Sequence, residues 1–135
     1  MVKKKVLFLC TYNSCRSQMA EGLLNTLNGS KYKAYSAGIK PTKVNSYAVE
    51  VMKEIGIDLS KYYSKSIEDF RDQEFDFVVT VCDKAREFCP FFPGKKIFHK
   101  NFKDPADFNG SAEEILDKFR KVRDDIKTWI IEQFR

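Results

Sequence analysis

One short segment restricts the possible folds of this chain more than any other, because a strand pattern, a polar loop and a helix pattern follow one another within it. The apolar run Val6–Leu9 is typical of a short buried strand. Residues 10–17 form the polar loop and read Cys-Thr-Tyr-Asn-Ser-Cys-Arg-Ser. The apolar residues that follow recur at spacings of three and four positions and predict a helix: Met19, Ala20, Leu23, Leu24 and Leu27. The segment therefore predicts a strand-to-helix turn with a cysteine at its first position.

This turn has the chemistry of an anion-binding loop. Backbone N–H groups at the N-terminus of a helix point into such a loop, and the helix dipole favours negative charge there. Arg16 adds a planar fork of donors that matches tetrahedral oxyanions. The same field is expected to favour the thiolate of Cys10, which is the nucleophilic form. Ser17 can donate a hydrogen bond to the sulfur of Cys10. The predicted oxyanion loop comprises Thr11, Tyr12, Asn13, Ser14, Cys15, Arg16 and Ser17.

The alternative interpretation is a buried cysteine at a strand end, followed by a solvent-exposed arginine. A cysteine six positions before an arginine is by itself a weak signal. The strand before the loop, the helix after it and the polar pair Asn13 and Ser14 inside it favour the functional interpretation. The loop is therefore the main functional candidate in the chain.

Strand and helix patterns alternate along the rest of the chain. Further strands are predicted at Tyr32–Ser36, Phe75–Val81 and Lys95–His99. Helices are predicted from Asn45 or Ser46 to Gly56, at Ser66–Arg71, and over a long amphipathic segment that opens with the capping box of Ser111 and Glu114. This alternation predicts an α/β fold with a four-stranded parallel sheet flanked by helices on both faces. Ligands bind beyond the carboxyl ends of such strands, so Cys10 and Cys82 are expected at the same edge.

Length and composition exclude several other classes of protein. The 135 residues suffice for one catalytic domain, residues 1–135, with its own core. The net charge of +5 comes mostly from scattered lysines, and no nucleic-acid-binding motif accompanies it. No targeting segment or membrane span is apparent, so a cytoplasmic location with reduced cysteines is expected. The spacings of the four cysteines and of His99 fit no common zinc pattern. We expect no cofactor, and a structural or surface role for His99 rather than a catalytic one.

A longer motif carries a resemblance to a known family. The segment from Cys10 to Gly22, with Asn13, Ser14, Cys15, Arg16 and Ser17 at their places, resembles the signature of the low-molecular-weight tyrosine phosphatase fold. It resembles more closely the thioredoxin-coupled arsenate reductases built on that fold. The likeness covers essentially the whole chain and continues through Tyr35–Gly38, Val78–Cys82, Cys89-Pro90, Asp104-Pro105 and Val122–Asp124.

The resemblance assigns roles to three further residues. Asp104 becomes the general acid that protonates a leaving oxygen, although an Asp-Pro pair alone is equally typical of an ordinary turn. Arsenate reduction also needs two electrons. The resemblance implies that Cys10 attacks arsenate, Cys82 then attacks Cys10, and Cys89 next attacks Cys82. Thioredoxin or a similar reductant would reduce the resulting Cys82–Cys89 disulfide. Two buried, inert cysteines are the alternative for Cys82 and Cys89.

Helix geometry adds a consequence for this relay. If residues 82–89 are helical, a rise of about 1.5 Å per residue places the backbones of Cys82 and Cys89 about 10 Å apart. A disulfide needs Cα atoms within roughly 7 Å of each other. Formation of the Cys82–Cys89 bond is therefore expected to unwind this segment, and equal amide exchange in the reduced and oxidised protein would contradict that expectation.

The sequence departs from the related families at two positions. Tyr12 stands where glycine is usual, so its backbone is strained if φ is positive there; alternatively its ring covers the pocket mouth. The reductases often bind potassium through residues that match Asn13, Glu21 and Ser36, together with an aspartate. Lys65 lies near the place of that aspartate. Its ammonium group is expected either to replace the ion and pair with Glu21 or to face solvent.

Three functions remain open from the sequence. The first is an arsenate reductase with the relay of Cys10, Cys82 and Cys89. The second is a low-molecular-weight tyrosine phosphatase that uses Cys10, Arg16 and Asp104 alone; against it, residues 106–108 read Ala-Asp-Phe where the phosphatases usually carry tyrosines. The third is a redox sensor that uses the same cysteines. For the reductase we expect weak phosphatase side activity, arsenate as substrate, a thioredoxin-like partner and a monomeric state.

Overall fold

The computed structural model describes residues 2–82 and 94–135. Its strands are β1 (Lys4–Cys10), β2 (Tyr32–Gly38), β3 (Phe77–Thr80) and β4 (Lys96–His99). Its α-helices are α1 (Arg16–Asn28), α2 (Ser46–Glu54) and α3 (Ala112–Gln133). Two short 3₁₀ helices cover Ile67–Phe70 and Pro105–Asp107.

The four strands form one parallel sheet in the order β2-β1-β3-β4, which confirms the predicted fold class. The carboxyl ends of all four strands lie at one edge, because all four run in the same direction. Cys10 ends β1 beside Gly38 of β2, and Leu9 pairs with Thr80 of β3. The register therefore brings the oxyanion loop and the segment leading to Cys82 to the same edge.

Helices cover both faces of this sheet. Successive residues of a strand point to opposite faces of the sheet, so Leu7 and Phe8 mark its two faces. On one face, Phe8 contacts Phe134 just beyond α3. On the other face, Tyr35, the β2 partner of Leu7, contacts Phe70 of the first 3₁₀ helix. α1 packs against α3 on the Phe8 side. The core residues that are fully excluded from solvent include Leu7, Phe8, Leu23, Leu24, Phe119 and Ile126.

Local signals in the sequence set several element boundaries as predicted. The capping box at α3 is present: Ser111 Oγ accepts the N–H of Glu114, and the Glu114 carboxylate accepts the N–H of Ser111. Asn45 caps α2 through the N–H of Tyr47.

In the described ranges, 2–82 and 94–135, no helix is long and apolar enough to cross a membrane.

Strand β3 is shorter than predicted. Phe75 packs against the rings of Tyr35 and Phe70, and the carboxylate of Asp76 accepts the N–H of Lys5 at 2.8 Å. The strand predicted at Phe75–Val81 covers Phe77–Thr80, although the backbones of Phe75 and Asp76 still make hydrogen bonds to the neighbouring segments. The prediction for the segment from Cys82 to Cys89 lies outside the described residues from position 83 onward.

Candidate active site at the carboxyl edge of the sheet

The oxyanion loop folds around the sulfur of Cys10. This sulfur accepts the backbone N–H of Asn13 at 3.2 Å and lies 2.8 Å from Ser17 Oγ. Ser17 Oγ in turn accepts a hydrogen bond from Nδ2 of Asn13 at 2.7 Å. The hydroxyl proton of Ser17 is therefore free to point at the sulfur, so the thiol group faces two donors before any substrate arrives.

The backbone of the loop makes one unusual turn, at Asn13. Its φ of 52° lies in the left-handed region, which asparagine tolerates better than most residues. The backbone of Tyr12 does not adopt a positive φ, so the strain considered for a tyrosine in place of glycine does not arise. Tyr12 is 40% exposed at the surface of the loop.

Electrostatics around Cys10 differ from the sequence-based expectation of a resting thiolate. Burial raises the pKa of the Cys10 thiol above its ordinary value, while the hydrogen bonds of Ser17 and the charge of Arg16 lower it. Burial also raises the pKa of Cys15 to about 12, with the charge of Asp104 acting in the same direction. Burial therefore disfavours the thiolate forms of both cysteines, while Ser17 and Arg16 favour the thiolate of Cys10.

Arg16 opens α1 and joins the loop to the segment that carries Asp104. Its Nη1 donates to the carbonyl of Phe102 at 3.0 Å, and its Nη2 lies 3.3 Å from Asp104 Oδ2. The Nε–H of Arg16 is buried and has no hydrogen-bond partner among the described residues. A buried donor without a partner costs about 1–3 kcal/mol, so the site is suited to a ligand that brings an acceptor.

Asp104 caps the second 3₁₀ helix at the same edge. Its Oδ1 accepts the backbone N–H of Ala106 at 3.0 Å and lies 3.6 Å from the sulfur of Cys15. Its side chain is 19% exposed. Asp104 thus contacts both Cys15 and Arg16 of the oxyanion loop, although almost ninety residues separate them along the chain.

A second sulfur lies at the rim of the loop. The side chain of Cys82 is buried, and its Sγ is 3.4 Å from Oγ1 of Thr11, the residue next to Cys10. The backbone N–H of Val81 binds the carbonyl of Leu9, which holds the end of β3 against the start of the loop. The structure therefore brings together Cys10, Arg16, Asp104 and Cys82, whereas Cys89 lies outside the described residues.

The four residues considered for a cation site also lie together. Glu21 Oε1 accepts the hydroxyl of Ser36 at 2.7 Å and lies 3.7 Å from Lys65 Nζ. The backbone N–H of Lys65 donates to Oδ1 of Asn13 at 2.9 Å. Burial raises the pKa of Glu21, while Lys65 and Ser36 lower it. The Lys65 side chain is largely buried beside Glu21 rather than directed into solvent, since only 13% of it is exposed.

Two residues that support the loop were not predicted. Nε2 of Gln18 donates to the carbonyl and the side-chain oxygen of Asn13 and to the carbonyl of Tyr63. Gly38 allows the segment after β2 to run beside the loop, where a Cβ would lie 2.8 Å from Thr11 O and from Asn13 N. Both lie within motifs that carry the family resemblance, which is the only sequence signal that could have indicated them.

His99 ends β4 at this edge. Its Nδ1 lies 2.8 Å from Oγ1 of Thr80, so the ring links the ends of β4 and β3. This contact is consistent with the predicted structural role.

Known proteins share both the sequence and the fold of this chain. Residues 5–134 match the family described as low molecular weight phosphotyrosine protein phosphatase. An arsenate reductase of Halalkalibacterium halodurans is 49% identical over 127 residues, which are 93% of this chain and 91% of that protein. An arsenate reductase of Bacillus subtilis is 46% identical over the same shares of both chains. A solved structure of an arsenate reductase in the phosphate-binding state superposes with a TM-score of 0.83, at 34% identity, over 96% of this chain and 95% of that one.

The fold is thus that of an enzyme scaffold with a cysteine-containing oxyanion loop after its first strand. The chain belongs to the low-molecular-weight phosphotyrosine protein phosphatase family. The resemblance drawn from its motifs is confirmed, since the relatives and the solved structures that share the fold include arsenate reductases.

Proposed function

We propose that this protein is an arsenate reductase in which Cys10 is the nucleophile and Cys82 the second thiol. The observation that carries the proposal is the sulfur of Cys82, held 3.4 Å from Thr11 at the rim of the nucleophile loop. Hydrolysis of a phosphate ester needs one cysteine and water, whereas reduction of arsenate needs a second thiol beside the first.

The first step forms a bond between sulfur and arsenic. Arsenate binds the N–H groups of the loop and Arg16, whose buried Nε–H gains an acceptor. The Cys10 thiolate attacks arsenic(V), an S–As bond forms, and one oxygen leaves as water after Asp104 protonates it. Ser17 stabilises the sulfur of Cys10 through the contact of 2.8 Å.

The second step transfers two electrons. The Cys82 thiolate attacks the sulfur of Cys10, an S–S bond forms, and the electron pair of the S–As bond stays with arsenic. Arsenic(V) thereby becomes arsenic(III) and leaves as arsenite, while two thiols are oxidised to one disulfide. Cys89 then attacks Cys82, which frees Cys10, and an external dithiol such as thioredoxin reduces the Cys82–Cys89 bond in a reducing, cytoplasmic compartment.

We also propose that Lys65 takes the place of a bound potassium ion. Its ammonium group lies 3.7 Å from Glu21, and its own backbone N–H binds Asn13, the residue that shapes the loop. A fixed positive charge at this position balances the buried carboxylate without an ion from solution.

A tyrosine phosphatase is the second candidate, and the loop itself favours it. Cys10, Arg16, Ser17 and Asp104 would suffice for a phosphocysteine intermediate and its hydrolysis. Because the two reactions share these groups, we expect weak hydrolysis of aryl phosphates in either case.

A single-turnover thiol count separates the two functions. Fully reduced protein is mixed with excess arsenate in the absence of an external reductant, and free thiols and arsenite are both quantified. The reductase predicts the loss of two thiols for each arsenite formed, and no stable product in the Cys82→Ser variant. Full survival of the thiols together with brisk hydrolysis of an aryl phosphate would identify a phosphatase instead.

A further inference from the structure

The two oxygens of the Asp104 carboxyl group have different surroundings. Oδ1 accepts the backbone N–H of Ala106 at 3.0 Å and lies 3.6 Å from the sulfur of Cys15. Oδ2 contacts only Arg16 Nη2 among the hydrogen-bond donors of the described residues, at 3.3 Å. Oδ1 is thus held by two donors from different parts of the chain, whereas Oδ2 has one donor, the guanidinium group of Arg16.

Hydrogen bonding to one oxygen decides which oxygen can carry the acid proton. An oxygen that accepts two donors is a poor place for a proton, since the proton would point at those donors. A general acid acts only when its O–H points at the leaving group within hydrogen-bond reach. When Arg16 turns from Asp104 to a bound oxyanion, Oδ2 loses its one donor while Oδ1 keeps both of its donors, so Oδ2 is the oxygen that can carry the acid proton.

Cys15 is well placed to act as a lasting donor in this arrangement. It is the residue directly before α1, its side chain is buried, and its thiol makes no side-chain cap for the helix. Burial keeps the thiol protonated, because its pKa lies at about 12. The S–H group can therefore donate to Oδ1 at neutral pH.

We propose that Cys15 is a positioning residue, which with the Ala106 N–H fixes Oδ1 of Asp104 as an acceptor and so directs the acid proton on Oδ2 toward the leaving oxygen. This role rests on the proposed function only in that Cys10 attacks an oxyanion whose leaving oxygen needs a proton. It requires neither arsenate nor Cys82. It also explains why the loop contains a second cysteine that the relay of Cys10, Cys82 and Cys89 does not use.

Leaving-group dependence tests this role. Phenyl phosphate has a poor leaving group that needs the acid, whereas p-nitrophenyl phosphate has a good one that needs it little. Cys15→Ala is expected to lower kcat for phenyl phosphate about tenfold and kcat for p-nitrophenyl phosphate less than about threefold, with KM nearly unchanged. Cys15→Ser is expected to restore most of the rate, because its hydroxyl also donates.

A double-mutant cycle with Asp104→Asn separates positioning from simple disturbance of the loop. Cys15→Ala is expected to have no further effect on phenyl phosphate once the acid is absent. Equal losses on both substrates, or an undiminished loss in the Asp104→Asn background, would overturn the proposal. A crystal structure of Cys15→Ala provides a readout that needs no turnover: the carboxyl group is expected to rotate, and an unchanged carboxyl group would contradict the role.

These results do not depend on the thiol count with arsenate. If no arsenite forms but the leaving-group pattern holds, the reductase proposal fails and the role of Cys15 stands. If arsenite forms and both aryl phosphates respond equally to Cys15→Ala, the role of Cys15 fails and the reductase proposal stands.

Discussion

The two sides of the oxyanion loop are held in different ways. On one side, Asn13 is enclosed by Gln18, Ser64 and Lys65 through hydrogen bonds of 2.7–3.0 Å. On the other side, Asp104 forms an ion pair with Arg16 at 3.3 Å and a contact of 3.6 Å with the sulfur of Cys15. We call these the support side and the reacting side.

This difference corresponds to what each side has to do. The support side keeps Asn13 in its left-handed conformation and keeps the loop N–H groups fixed, which preorganises the loop for an anion. The reacting side contains the groups whose charges or protons change during turnover. Arg16 and Asp104 share one hydrogen bond, of 3.3 Å, so Arg16 can turn toward an oxyanion while the Ala106 N–H still holds Asp104.

The largest effect is expected on the reacting side, from Cys10→Ser. Loss of the nucleophile should lower turnover of arsenate and of aryl phosphate by on the order of 10⁴-fold or more, with little change in the melting temperature. Steady-state assays and thermal denaturation check this. Cys82→Ser is the matched control, because it should stop arsenite release but leave aryl phosphate hydrolysis nearly intact; equal loss of both activities in Cys82→Ser would contradict the division of roles.

Gly38→Ala is expected to have the next largest effect, through the support side. A Cβ at this position would lie 2.8 Å from backbone atoms of Thr11 and Asn13, so the loop must shift. A shift of about 1 Å near reacting groups can cost on the order of 100-fold in rate. Gly56→Ala is the control, since its φ of 80° makes alanine strained while the space around it is open. Both variants should lose stability by about 1 kcal/mol or more, but only Gly38→Ala should lose activity.

The pH dependence provides a smaller effect on the reacting side. Because burial raises the pKa of the Cys10 thiol, the rate should rise with pH as the thiolate forms. Ser17→Ala removes a contribution that lowers this pKa, so the rising limb should move to higher pH. A hydrogen bond to a charged group contributes about 1.5–3 kcal/mol, which corresponds to about one to two pH units. Thiol alkylation rates measured against pH would show a shift in this direction, and an unchanged limb would exclude the Ser17 contact as a cause.

The smallest effect on activity is expected from Lys65→Met on the support side. The buried Glu21 loses its partner, so the variant should lose about 1–3 kcal/mol of stability and a few-fold in rate. The charge on Glu21 causes this deficit, so it should be smallest at low pH, where Glu21 is protonated. It should grow as the pH rises through the raised pKa of Glu21.

Potassium distinguishes the explanations for Lys65. Addition of potassium chloride, but not of an equal concentration of tetramethylammonium chloride, should restore part of the stability of Lys65→Met. The unaltered protein should respond equally to both salts. A potassium response in the unaltered protein would contradict the replacement of the ion by Lys65.

Elements that follow from local patterns were predictable from the sequence. The run Val6–Leu9, the capping box of Ser111 and Glu114 and the parallel arrangement of the strands depend on nearby residues and on general topology. The bounds of β3 were not predictable in this way, because the contacts of Phe75 with Tyr35 and of Asp76 with Lys5 join segments that are distant along the chain.

Site residues follow the same rule. Cys10 and Arg16 stand in one local motif, so sequence alone placed them at one loop. The contact of Cys15 with Asp104 joins segments almost ninety residues apart, and the pKa of Cys10 depends on how completely the fold buries its thiol. Neither the contact of Cys15 nor the burial of Cys10 can be inferred from the residues next to them in the sequence.

Trapping the disulfide in the Cys89→Ser variant would test whether Cys82 acts on Cys10. One equivalent of arsenate is added to the reduced variant without an external reductant, and peptides are mapped by mass spectrometry after alkylation. The proposed mechanism predicts a Cys10–Cys82 disulfide in an amount equal to the arsenite released. Release of arsenite with Cys82 still free and alkylated would contradict it.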